Sequence, residues 1–133
     1  MNNKKYSKKE SEEYWRNLLD DNEYSVLRKK GTEKPFSGKF NLHFEKGNYN
    51  CGACNFSLFN SDNKFDSGCG WPSFDEAKKD AVEFVLDKSH GMLRTEIVCR
   101  NCRSHLGHVF NDGPTETGQR YCVNSLSLGF DEE

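Results

Sequence analysis

Arg120-Tyr121-Cys122-Val123-Asn124-Ser125 reads as a β-strand that carries a thiol. Side chains at i, i+2 and i+4 of an extended segment share a face, so Arg120, Cys122 and Asn124 point one way and Tyr121, Val123 and Ser125 the other. One face is polar and reactive, and the other is for packing. A guanidinium two residues from a sulfur favours the thiolate, which is the nucleophilic form of cysteine. The plain alternative is a structural cysteine in a core strand, because free cysteine is among the most buried residue types. The use the chain makes of its other five cysteines decides between the two.

Working outward from that strand, a period of two recurs through most of the chain. Phe40, Leu42 and Phe44 alternate with polar residues, and similar short runs follow between Gly, Asn and Asp punctuation. Strands are expected at about residues 40–45, 48–51, 56–60, 81–87, 92–98, 105–110 and 120–130, the last broken near Ser125, with a single helical turn at 75–79. No ten-residue helix fits between these strands, so they pair antiparallel. Upstream, Ser7 with Glu10 fits a capping box, and Tyr14, Trp15, Leu18 and Leu19 follow at helical spacing, which predicts a helix over about residues 8–19. Asp20 and Asp21 can cap a second helix carrying Tyr24 and Leu27. It stops near Gly31, with Arg28, Lys29 and Lys30 in its last turn. Pro35 and Gly38 end the helical part. The expected fold is mainly β: small antiparallel sheets around a zinc-stapled core, with short N-terminal helices packed outside. Residues 1–20 read as a variable helical segment and 21–133 as one domain.

Composition says why a staple is needed. Leu, Ile, Val and Phe make up only 27 of 133 residues, close to the level of about 20% at which disorder becomes a concern. The net charge of -2 and the many aromatics argue against disorder, so something besides apolar burial must hold the fold. Met1-Asn2-Asn3-Lys4-Lys5-Tyr6-Ser7-Lys8-Lys9-Glu10 has no apolar core of a leader, and nowhere do 18 apolar residues run together. A cytoplasmic protein with no membrane partner is expected. The weakly acidic pI of 6.1 leaves no footprint for nucleic acid, and the lysines at positions 4 to 9 read as a solvated tail.

Cys51-Gly52-Ala53-Cys54 and Cys99-Arg100-Asn101-Cys102 are two C-x-x-C pairs separated by 44 residues. Two such knuckles supply four thiolates that can close a tetrahedral shell, and a shell with no open position is structural. One zinc ion per chain is the expected occupant, although iron takes the same donors. A disulfide pair would need an oxidising compartment. A thioredoxin-like dithiol would need one such motif in a βαβ setting rather than two in a strand-rich chain.

Four ligands leave Cys69 and Cys122. Cys69 lies between two glycines in Phe65-Asp66-Ser67-Gly68-Cys69-Gly70-Trp71-Pro72-Ser73-Phe74, a backbone free enough to bring its sulfur towards another. A cysteine on a flexible loop beside one on a strand suits a resolving and a nucleophilic pair. Gly-Cys-Gly equally suits an ordinary tight turn. A zinc-knuckle binding module without catalysis is the alternative for the whole chain, but such a module has no need of Cys69, Cys122 or the Trp71 loop. A thiol oxidoreductase acting on disulfides is a second rival.

Asp66-Ser67-Gly68-Cys69-Gly70-Trp71-Pro72-Ser73-Phe74, Ser89-His90-Gly91-Met92-Leu93-Arg94-Thr95-Glu96, His105-Leu106-Gly107-His108-Val109-Phe110-Asn111-Asp112-Gly113-Pro114 and Arg120-Tyr121-Cys122-Val123-Asn124-Ser125 closely resemble, in order, the motifs of the type B methionine sulfoxide reductases. The likeness runs over about residues 24–130 and includes Gly31-Thr32-Glu33-Lys34-Pro35-Phe36-Ser37-Gly38. The first 20 or so residues fall outside it. The resemblance implies a peptide-methionine (R)-S-oxide reductase acting on oxidised proteins or free methionine R-sulfoxide. By it, Cys122 is the nucleophile that becomes a sulfenic acid, and Cys69 resolves it as a Cys69-Cys122 disulfide recycled by thioredoxin. The family's four-cysteine zinc form agrees with the knuckles, and a monomer is expected.

The remaining roles follow from chemical need laid on that likeness. A sulfoxide oxygen leaves only when protonated, so an acid must stand near it, and His108 is favoured with His105 close by. Three apart, they lie on opposite faces of a regular strand unless Gly107 permits a bulge. The Trp71 indole offers an apolar face for the sulfoxide methyl. Arg120 and Asn124 flank Cys122, able to stabilise a thiolate or bind substrate polar atoms. His43 and His90 lie outside this group, and His43 is expected at the surface.

Overall fold

The computed structural model describes residues 11–132. Two helices come first, each set by its cap. Ser11 Oγ accepts from Tyr14 N at 3.2 Å to start α1, Glu12–Leu18. Asp20 and Glu23 form a reciprocal capping box that starts α2, Asp21–Lys29. The Ser7–Glu10 box lies outside the described residues. The second helix ends in a left-handed residue, Lys30 (φ 59°), one position before the expected glycine. Trp15, Leu19, Tyr24 and Leu27 form the buried stripe of the pair.

Among the described residues nine strands follow: β1 Gly47–Cys51, β2 Ser57–Asn60, β3 Lys64–Phe65, β4 Ser73–Phe74, β5 Val82–Asp87, β6 Arg94–Cys99, β7 His105–Phe110, β8 Arg120–Val123 and β9 Leu128–Glu132. They build a three-stranded sheet, β2-β1-β9, and a six-stranded sheet, β3-β4-β8-β7-β6-β5. Every pairing is antiparallel, so the mainly β expectation holds. No helix among the described residues is long and apolar enough to cross a membrane. Aromatic side chains join the sheets: Phe59 stacks on Phe74 at 4.2 Å between centroids, and Tyr49 meets Phe74 edge-on at 5.2 Å.

Two local expectations are corrected. Residues 40–45 are turns rather than a strand, because their N–H groups bond locally (Asn41 N to Gly38 O, His43 N to Phe40 O) and Phe40 N donates to Ser125 Oγ. Phe40 is buried there while Leu42 and Phe44 face solvent, so the alternation never shared a sheet face. Residues 75–79 make no helical turn, because Asp75 N and Lys78 N donate to the distant carbonyls of Asn63 and Leu58. Strands β3 and β4 were not expected, because two residues each are too short to register a period. His43, expected at the surface, is half-buried: its Nδ1 lies 2.8 Å from Tyr49 Oη and its ring packs edge-on against Phe130.

β8 is an inner strand with β4 on one side and β7 on the other. That position brings three segments distant in sequence to one row, because Cys122 is in register with Ser73 on β4 and with His108 on β7.

Candidate active site

The alternation of β8 places Arg120 and Cys122 on one face and buries Tyr121 and Val123 on the other. β7 approaches this strand closely at Gly107, where any side-chain carbon would run into the Cys122 carbonyl. Arg120 reaches along the face, with Nε and Nη2 donating to the two oxygens of Asp112 at 2.8 and 3.1 Å, and its guanidinium lies 4.5 Å from the centre of the Phe110 ring. Asn124 follows just after the strand. Its Oδ1 accepts from Glu33 N at 3.1 Å and its Nδ2 donates to Leu106 O at 3.1 Å, so its amide ties three segments together.

Cys69 comes from the loop between β3 and β4, where both flanking residues adopt the left-handed conformation that glycine tolerates (Gly68 φ 75°, Gly70 φ 100°). The turn carries Cys69 Sγ to 3.5 Å from Cys122 Sγ, 2.9 Å from Ser67 Oγ and 3.4 Å from Ser73 Oγ. Two thiols this close share their protons unequally. Hydrogen bonding from Cys122, then from Ser67 and Ser73, outweighs burial and pulls Cys69 down to about 4. Cys122 is pushed up by that same partner and by its burial, and Arg120 offsets only part of the rise. With Cys69 alongside, the more acidic thiol is therefore the loop cysteine, not the strand cysteine beside the arginine.

The two sulfurs sit in the wall of an open cavity of about 250 Å³ that also receives Trp71, His108, Arg120 and Asn124. Trp71 is tied in place by Nε1 donating to Glu33 O at 3.1 Å. His108 Nε2 lies 2.7 Å from Asp87 Oδ2 at the end of β5. Of the catalytic and substrate-binding residues expected from sequence, His105 is the one that stays out of the cavity. A bulge does occur there: Gly107 pairs with Ile97 and His105 with Val98, leaving Leu106 as the extra residue. It brings the two imidazoles to 5.6 Å between centroids. His105 nevertheless lies beneath the wall at 4% exposure, its Nδ1 2.7 Å from the equally buried Glu96, whose other oxygen meets Lys30.

The other four cysteines meet at the far end of β6. Each knuckle folds alike: Asn55 N donates to Cys51 O and Arg103 N to Cys99 O, both at 2.8 Å, with Asn55 and Arg103 left-handed. The four buried sulfurs lie within 4.8 Å of one another, and the pairs Cys51–Cys102 and Cys54–Cys99 are 3.6 Å apart. Sulfurs at about 2.3 Å from a tetrahedral zinc would be ~3.8 Å from each other, so the cluster fits such an ion and could hold a metal. Ala53 N at 3.4 Å from Cys51 Sγ and Ser104 Oγ at 3.1 Å from Cys102 Sγ supply outer hydrogen bonds.

Comparison with known proteins gives the family. Residues 19–132 match the family described as SelR domain. This chain belongs to the SelR-domain family. Its relatives include a protein named peptide methionine sulfoxide reductase MsrB from Methanosarcina mazei, 57% identical over 124 residues covering 92% of this chain and 89% of the relative. The protein of the same name from Herminiimonas arsenicoxydans is 58% identical over 118 residues, covering 88% of this chain and 86% of its own. The resemblance drawn from the motifs is borne out at the level of the family.

Within this SelR domain, Asp87, Arg94, Glu96 and Glu33 belong to the site but were not singled out from sequence. Arg94 and Glu96 alternate at the end of the quoted motif Ser89 to Glu96, where a strand was expected, a signal that they share a face. Asp87 had no such signal, because only the pairing of β5 with β6 and β6 with β7 brings it to His108.

Proposed function

We propose that this SelR-domain enzyme reduces the R epimer of methionine sulfoxide, within oxidised proteins or as the free amino acid, to methionine. The observation that carries the reading is the thiol pair, 3.5 Å apart in a cavity wall with an imidazole in register across from the strand thiol. Cys122 attacks the sulfoxide sulfur as its proton passes to the Cys69 sulfur 3.5 Å away, and His108 protonates the oxygen that moves from the substrate sulfur to that of Cys122. In net terms a thiol and a sulfoxide become a sulfenic acid and a thioether: the Cys122 sulfur loses two electrons and the substrate sulfur gains them. Cys69 then attacks the sulfenic sulfur, forming the Cys69–Cys122 bond and releasing water. A dithiol protein, thioredoxin by family likeness, returns both thiols by exchange.

Other groups serve binding. The Trp71 indole holds the substrate methyl, and Arg120 and Asn124 offer donors beside the nucleophile, with the buried His105 supporting His108 from beneath. Zinc is the proposed ion of the four-cysteine cluster. Cys51, Cys54, Cys99 and Cys102 would hold it, and it would supply a structural cross-link between the two knuckles. The preference for the R epimer rests on the family resemblance.

Consumption of each sulfoxide epimer with excess dithiothreitol, in wild type, Cys122→Ser and Cys69→Ser, tests the reading. Only the R epimer should disappear, Cys122→Ser should be inactive, and Cys69→Ser should turn over with dithiothreitol but fail with thioredoxin. Zinc-loaded wild type that consumes neither epimer would sink it.

A further inference from the structure

Asp87 ends β5, the outer strand of the six-stranded sheet, and its two oxygens are separately engaged. Oδ1 accepts from Ser89 N at 2.9 Å, which fixes the carboxylate, and Oδ2 lies 2.7 Å from His108 Nε2. A carboxylate only accepts, so Nε2 carries a hydrogen and Nδ1 is the nitrogen left to exchange a proton. The other charged or titratable groups around the ring come from every neighbouring strand. Arg94 on β6 has Nη2 3.5 Å from the same Asp87 oxygen, and Glu96, in register with His108, is bonded to His105. His105 lies 5.6 Å away on β7 itself, and Cys122 and Arg120 line the cavity from β8.

We propose that Asp87 is the positioning residue for His108, clamping the ring by its Nε2–H and holding on it the proton that the departing sulfoxide oxygen requires. The proposal rests on the reading of the cavity as a sulfoxide reductase site. Burial, Arg94 and His105 all make His108 a stronger acid than an ordinary imidazole, and Asp87 opposes them. The reacting form is the protonated ring, so activity falls as pH rises through its titration. Neutralising Asp87 removes the opposing influence and moves that fall to lower pH.

Asp87→Asn keeps an oxygen to accept from Nε2 but removes the charge. The test is the pH profile of kcat and KM for wild type, Asp87→Asn and Asp87→Glu, together with the titration of the His108 ring by NMR. In Asp87→Asn the alkaline limb of kcat should move to lower pH, giving about a tenfold loss at pH 8 with little loss at the acid end. KM should change little, and Asp87→Glu should restore the limb. Arg94→Gln should move the ring titration the opposite way. Superimposable profiles, or a loss of kcat by the same factor at every pH, would overturn the proposal. Should wild type consume no sulfoxide, the function reading fails instead. The ring titration then still decides, because an unmoved His108 in Asp87→Asn removes the role from Asp87.

Discussion

At the scale of single residues, the site divides labour between two sulfurs that differ in acidity because of where they sit. Cys69, held down to about 4 in the pair, is ionised through mildly acidic pH, whereas Cys122 keeps its proton while Cys69 is beside it. Alkylation of the reduced protein with iodoacetamide at pH 6 should therefore label Cys69 first, as read by peptide mass spectrometry. In Cys69→Ser the largest cause of the rise at Cys122 is gone and Arg120 remains, so Cys122 should be labelled at lower pH than in wild type. Labelling of Cys122 ahead of Cys69 in wild type would contradict this ordering. Gly107 has an equally local role. Gly107→Ala would press a methyl into the Cys122 carbonyl, so it should cost about 1–3 kcal/mol in unfolding free energy measured by urea denaturation.

At the scale of elements, β7 carries the device that sequence reasoning could name but not resolve. The spacing of His105 and His108 with Gly107 between them pointed to a bulge, and one occurs, but it leaves His105 on a buried carboxylate beneath the cavity. A pattern of residue types says that a strand is irregular; only the facing strand says what each side chain then meets. The same limit explains residues 40–45, where alternating apolar residues turned out to be a turn fastened by Ser125 Oγ from the other end of the chain. β6, β7 and β8 were legible as runs of strand-forming residues bounded by turn signals, although only β8 shows alternating burial. The two-residue strands β3 and β4 were not, since two residues have no period. The pair beneath β7 gives a test at this level. Glu96→Ala strands the His105 imidazole without a partner and should destabilise the protein by ~3 kcal/mol, as seen in a lowered midpoint of urea unfolding. An unchanged midpoint would show that the pair contributes nothing to the fold.

At the scale of the molecule, the cysteine cluster joins the end of β1 in the small sheet to the end of β6 in the large one. This much was readable from two C-x-x-C pairs far apart in a chain with little aliphatic core. What the spacing did not disclose is that the helices are fastened to the same corner, through Arg28 Nη1 donating to Cys102 O at 2.9 Å while Nη2 reaches Glu12 at 2.7 Å. Both sheets and the helix pair therefore depend on one cross-link. Removing the metal with a strong chelator, or replacing Cys99 with serine, should lower the melting temperature by ~10 °C or more in one cooperative step. A melting curve that does not move would exclude a structural metal. The catalytic row and the cluster also lie apart along the same sheet. Cys122 stands in register, through His108, with Glu96, which is three residues from Cys99 along β6. That is roughly 10 Å along the strand and about as far again across two strands, beyond the ~7 Å between Cα atoms that a disulfide can span. The molecule thus keeps two sets of thiols chemically insulated from each other: one can be oxidised and reduced repeatedly while the other, a few residues away, never becomes a wrong partner.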